Sequence, residues 1–122
     1  MCSLDYDPPT LYVRKLITAR KSHRCCECGR TIEPAEQYQR VVGVWDGTFG
    51  GHTTCTQCVA AADLLMTHCH GFAHCGIYDD IREHVDRSIP WGMKAARFAV
   101  GMTRKWRRFD GNGLMNAPEV PR

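Results

Sequence analysis

The residues of this chain best suited to chemistry are four cysteines in two Cys-x-x-Cys pairs: Cys25 with Cys28, and Cys55 with Cys58. A two-residue gap lets both sulfurs of a pair reach one ion, and four thiolates satisfy the tetrahedral coordination of Zn2+. Twenty-six residues separate the pairs, so the intervening chain must turn back on itself. Gly29 follows the first pair directly; it allows a tight turn and lets backbone amides approach thiolate sulfur. Four protein ligands leave no position open for water, so the pattern reads as one structural site rather than a hydrolytic one. His52, three residues before Cys55, also has ligand spacing and is an alternate ligand in place of Cys55 or Cys58. Cys26 is a poor ligand for the same ion, because side chains of adjacent residues point apart.

The elements that must position these cysteines follow from local signals. Cys25-Cys26-Glu27-Cys28-Gly29 reads as a metal-binding knuckle. Residues 37–45 and 48–54 read as two strands joined at Asp46-Gly47, a favoured two-residue hairpin turn. Thr54 can cap a helix, and the alanine- and leucine-rich run after Cys58 favours one, which puts Cys55 and Cys58 at a helix start. Knuckle, hairpin and helix over residues 25–66 form the zinc-binding unit and follow the plan of a treble-clef finger. Upstream, residues 1–9 read as an irregular lead-in, and residues 10–20 suit a strand, with a helix as the alternative. Downstream, residues 67–76 break the helix, residues 77–87 resume helical spacing, and a helix runs over residues 90–109, with Ser88 or Ile89 near its cap and Pro90 at its first position. Its apolar stripe is Trp91, Ala95, Phe98, Met102 and Trp106. Residues 110–122 read as a flexible tail. The expected fold is a small α+β single domain with two C-terminal helices after the zinc unit.

Two further groups of residues carry potential chemistry. His68, Cys69, His70, His74 and Cys75 cluster in sequence. They could hold a second metal, closed by Cys26 or His52, but their spacing matches no ligand pattern, so one zinc per chain is expected. The other group is electrostatic. The net charge of +3 is the sum of −2 over residues 1–88, +6 over residues 89–109 and −1 over the tail. Lys94, Arg97, Arg104, Lys105, Arg107 and Arg108 supply the positive segment without a single acid. Such an array attracts phosphates, and Trp106 among the cations could stack on a base; the bland alternative is a solvated helix face whose apolar stripe packs inward.

With 122 residues, 43% hydrophobic and 24% charged, the composition is that of an ordinary globular domain. No apolar run approaches the roughly 18 residues of a membrane span, and the start shows no secretory leader. Eight cysteines without a leader point to metal ligation rather than disulfides, and to a cytoplasmic setting. No small-molecule substrate and no membrane partner suggest themselves.

The stretch Ala19-Arg20-Lys21-Ser22-His23-Arg24-Cys25-Cys26-Glu27-Cys28-Gly29-Arg30-Thr31-Ile32, followed by Tyr38, Val44-Trp45-Asp46-Gly47 and Cys55-x-x-Cys58, resembles small zinc-finger-like proteins encoded by bacteriophages and prophages. The likeness covers about residues 19–80 and departs at Ala35-Glu36, where the pattern has Gly-Glu. It implies the ligands Cys25, Cys28, Cys55 and Cys58 and an accessory gene product acting in a bacterial host cytoplasm, and it implies no activity. A weaker likeness to GATA-type and LIM-type fingers rests on spacing alone. The expected function is that of a non-enzymatic binding or regulatory protein that contacts nucleic acid through its basic helix. The alternatives are a protein-directed modulator of a host defence or transcription complex, and a zinc-containing nuclease of His-Asn-His type, for which no base-histidine motif is visible.

Overall fold

The computed structural model describes residues 11–45, 47–72 and 74–120. The expected lead-in over residues 1–9, and Asp46 of the hairpin turn, lie outside them. The chain forms β1 (Leu11–Thr18), β2 (His23–Arg24), β3 (Thr31–Ile32), β4 (Gln37–Trp45), β5 (Thr48–Cys55), α1 (Thr56–Cys69), α2 (Ile77–Glu83) and α3 (Gly92–Thr103).

β4 and β5 pair antiparallel from Tyr38↔Cys55 to Trp45↔Thr48, leaving two residues to turn the chain. Gly47 sits there at φ 76°, where a side chain would meet the strain of the left-handed region. β1 adds on the far side of β4, giving the order β1-β4-β5, and its residues are mostly exposed. The short β2-β3 pair frames the knuckle. There the amide of Cys25 donates to the Arg30 carbonyl at 3.0 Å and that of Gly29 to the Cys25 carbonyl at 3.0 Å.

One apolar core joins the knuckle, hairpin and helices: Ile32, Tyr38, Leu64, Leu65, Ile77, Ile81, Phe98 and Trp106 are all buried in it. The helices depart from expectation at their ends. Thr54 does not cap α1; it is a buried strand residue, and Cys55 takes the cap position without a side-chain bond. α1 runs on to Cys69, and α2 ends at Glu83 rather than residue 87. α3 starts at Gly92, two residues later than Pro90, and stops at Thr103 rather than 109.

The early stop of α3 is a Schellman motif. Lys105 (φ 53°) and Trp106 (φ 60°) are left-handed. The Trp106 amide donates to the Gly101 carbonyl at 2.7 Å, and the Lys105 amide to that of Met102 at 3.0 Å. The reversal swings Trp106 under the helix onto Phe98, with ring centroids 6.1 Å apart and nearly perpendicular. Gly101 makes the room: a Cβ there would lie 2.2 Å from the indole ring. The segment after α3 contacts the rest of the chain. Arg107 bridges Leu114, the Met115 amide donates to the Trp106 carbonyl at 2.8 Å, and Met115, Ala117 and Val120 pack on the core.

Candidate metal centre

The knuckle presents Cys25 and Cys28, the end of β5 presents Cys55, and the first turn of α1 presents Cys58. Their four sulfurs lie within 4.8 Å of one another and could hold a metal ion. Cys28 Sγ and Cys55 Sγ are 3.8 Å apart, the spacing of about 3.8 Å that 2.3 Å metal–sulfur bonds require in a tetrahedron. Cys25, Cys55 and Cys58 are buried. Four bare thiols this close cannot all ionise. Hydrogen bonds from Cys28, Cys55 and Cys58 hold Cys25 down as the thiolate, and the neighbouring Cys25 drives Cys58 up. A bound cation removes that conflict by stabilising every thiolate at once.

Donors around the sulfurs suit an anionic cluster. The Cys55 amide donates to Cys25 Sγ at 3.4 Å. The Trp106 indole N–H donates to Cys58 Sγ at 3.4 Å. Arg30, 5% exposed, pairs with Glu36 at 2.9 Å and donates to Gln57 Oε1 at 2.9 Å; its charge also interacts with Cys55. Sequence reasoning passed over Arg30 because a lone arginine after a knuckle carries no motif.

His52 is not part of this group. It lies on β5 and meets Cys26 of the knuckle and Cys75 of the loop after α1, the three ligand atoms within 4.8 Å of one another. The clustered residues 68–75 are dispersed by the fold. His68 stacks on Trp91 with centroids 4.6 Å apart. Cys69 is buried, with Sγ 3.5 Å from His84 Nε2. His70 ends α1 in the left-handed region. Only His74 and Cys75 reach the sheet. His74 stacks on His52 at 4.9 Å, and burial, then the charges of His52 and Arg14, lower its pKa to about 4.

The basic segment divides in two. Trp106 is 1% exposed and cannot stack on a base; the sequence reading of it as a contact residue is corrected by the turn that buries it. Arg104 is partly engaged, donating from Nε to the Arg107 carbonyl and from Nη2 to that of Arg108, both at 3.1 Å, with its guanidinium 4.1 Å from the Phe109 ring centre. Arg97, Lys105, Arg107 and Arg108 are exposed and Lys94 half-buried. Asp110 lines the same groove as Arg97 and Arg108. Lys105 also reaches the knuckle: a Cβ placed on Gly29 would lie 3.8 Å from its Cε and 3.6 Å from Arg24 Nη2.

Among the described residues no helix is long and apolar enough to cross a membrane. No family model, curated protein or solved structure matches the chain.

Proposed function

We propose that this protein is a zinc-stabilised binding module of treble-clef type that contacts nucleic acid and performs no catalysis. The zinc reading rests on four cysteine sulfurs within 4.8 Å of one another, with Cys28 and Cys55 at the 3.8 Å a tetrahedron requires. The treble-clef reading rests on the order knuckle, hairpin, helix, with one cysteine pair on the knuckle and the other at the start of α1. The observation that carries the nucleic-acid reading is the set of exposed cations Arg97, Lys105, Arg107 and Arg108. Lys105 and Arg24 flank Gly29, which continues that charge onto the metal-bound knuckle. The residue pattern shared with phage-encoded zinc-finger-like proteins supports an accessory role in a bacterial cytoplasm.

Phosphate contacts release counterions, so binding must weaken steeply with salt. Fluorescence anisotropy with labelled duplex DNA, single-stranded DNA and RNA measures this directly. Binding at low salt is expected, with a shallower salt slope after Arg97, Lys105, Arg107 and Arg108 are changed together to Gln. Absence of binding to all three at low salt overturns the reading. Plasmid cleavage with magnesium or manganese, lost in His52→Ala, would replace it with the nuclease.

One observation favours a second reading, a protein partner. A groove of about 740 Å³ beside α3 is lined by Met93, Val100, Phe109 and Met115, with Arg97 and Arg108 among its walls. Recovery of a stoichiometric protein from nuclease-treated host lysate, lost in Val100→Asp, would favour it.

A further inference from the structure

We infer that Cys26, His52 and Cys75 form a second metal site, distinct from the four-cysteine centre, that takes a zinc-class divalent ion and leaves one coordination position open. Three elements meet there: Cys26 comes from the knuckle, His52 from β5 and Cys75 from the loop between α1 and α2. Their ligand atoms lie within 4.8 Å of one another, and His52 Nδ1 is 3.2 Å from Cys75 Sγ. Two thiolates and an imidazole are ligands that zinc and its neighbours accept, and three protein ligands are the number that leaves room for water or an exogenous group.

The surroundings hold the three residues in place. The Cys26 amide donates to the Thr53 carbonyl at 2.8 Å, tying the knuckle to β5 beside His52. Glu27 accepts from the amide of Cys75 at 2.6 Å and that of Ile77 at 3.2 Å, which fastens the 75–77 loop to the knuckle. Trp45 and His74 pack on the His52 ring, with centroids at 5.3 and 4.9 Å, and fix its plane. Cys75 itself sits at φ 64°, a left-handed conformation that glycine would adopt without strain and cysteine does not. Strain of this kind persists where the surroundings hold it, and it concentrates at ligand clamps. Adjacent Cys25 and Cys26 point apart, so one knuckle serves two sites.

The site differs from the four-cysteine centre in a way that can be measured. Cys75 is exposed and one ligand is missing, so this ion is the more readily exchanged. The test is metal analysis of the full chain, purified under reducing conditions and loaded with Zn2+ and separately with Co2+. Two equivalents are expected in the wild type and one in Cys75→Ser and in His52→Ala. Far-UV circular dichroism should be unchanged in Cys75→Ser, whose side chain lies at the surface. In Co2+ titrations the second step should be absent from both variants, while the thiolate-to-cobalt absorption of the first remains. A wild-type stoichiometry of one, or two equivalents retained in Cys75→Ser and His52→Ala, overturns the proposal. A wild type that binds no ion overturns the four-cysteine centre as well, so the two failures are distinguishable.

Discussion

The backbone of Ala35 is at φ 75°. Its amide donates to the Ala19 carbonyl at 2.8 Å, which locks the turn before β4. A left-handed residue with a Cβ costs roughly 1–2 kcal/mol, while glycine loses about 0.5–1 kcal/mol through its freer unfolded chain. The first term is larger, so Ala35→Gly should stabilise by about 0.5–1 kcal/mol and raise the melting temperature by roughly 2–4 °C. A lower melting temperature in thermal denaturation would show that the strain is already relieved. Trp106 illustrates a side chain whose sequence context misleads. Flanked by cations, it looks like a base-stacking residue, yet it is buried and its N–H faces Cys58 Sγ. Donors to ligand atoms tune metal affinity by about 10- to 100-fold. Trp106→Phe keeps most of the ring but loses the N–H, so zinc affinity should fall about 10-fold in competition with a chromophoric chelator. An unchanged affinity would leave Trp106 a packing role alone.

At the scale of elements, what could be read in advance was what local chemistry dictates. The knuckle follows from Cys-x-x-Cys-Gly, the β4–β5 register from a two-residue turn, and α1 from alanines and leucines behind Cys58. The end of α3 could not be read, because neither Lys105 nor Trp106 belongs to the residue types that announce a left-handed stop. Burial of the indole against Phe98 and Cys58 wins over the local preference to continue the helix. The Cys26–His52–Cys75 group was equally hidden, since its members are 26 and 23 residues apart and meet only when three elements assemble. Gly101 decides whether α3 and its returning turn fit together. In an ordinary helix Gly→Ala gains about 1 kcal/mol. Here the new methyl would sit 2.2 Å from a ring that is itself packed, and such overpacking costs about 1–3 kcal/mol. Gly101→Ala should therefore lower the urea midpoint, and a raised midpoint would mean that Trp106 can shift freely.

The whole molecule is organised so that the four-cysteine group and the apolar core are one structure. Cys25, Cys55 and Cys58 belong to the same buried cluster as Leu64, Ile81, Phe98 and Trp106. The four sulfurs lie where the knuckle meets the start of α1, and the turn after α3 closes over Cys58. Without an ion four thiolates in the core would repel one another, and binding free energy in such sites is folding free energy. Chelation should therefore not loosen the knuckle alone. It should lower the melting temperature of the entire chain and broaden amide signals from residues 25–66 and from Trp106 together. Returning Zn2+ should restore both. Fluorescence of the three tryptophans offers a second readout, because Trp106 is the buried one beside the sulfurs and Trp45 lies by the second cluster. Loss of the knuckle amides with the α3 and Trp106 signals intact would show instead that the helices form a core independent of the metal. An unchanged spectrum in the fully metal-free protein would remove the structural role of the centre. The same chelated protein bears on binding: Arg24 and Lys105 share a surface only while Gly29 stays on the folded knuckle. Metal removal should then weaken nucleic-acid affinity more than Lys105→Gln does alone, measured by the same anisotropy titration.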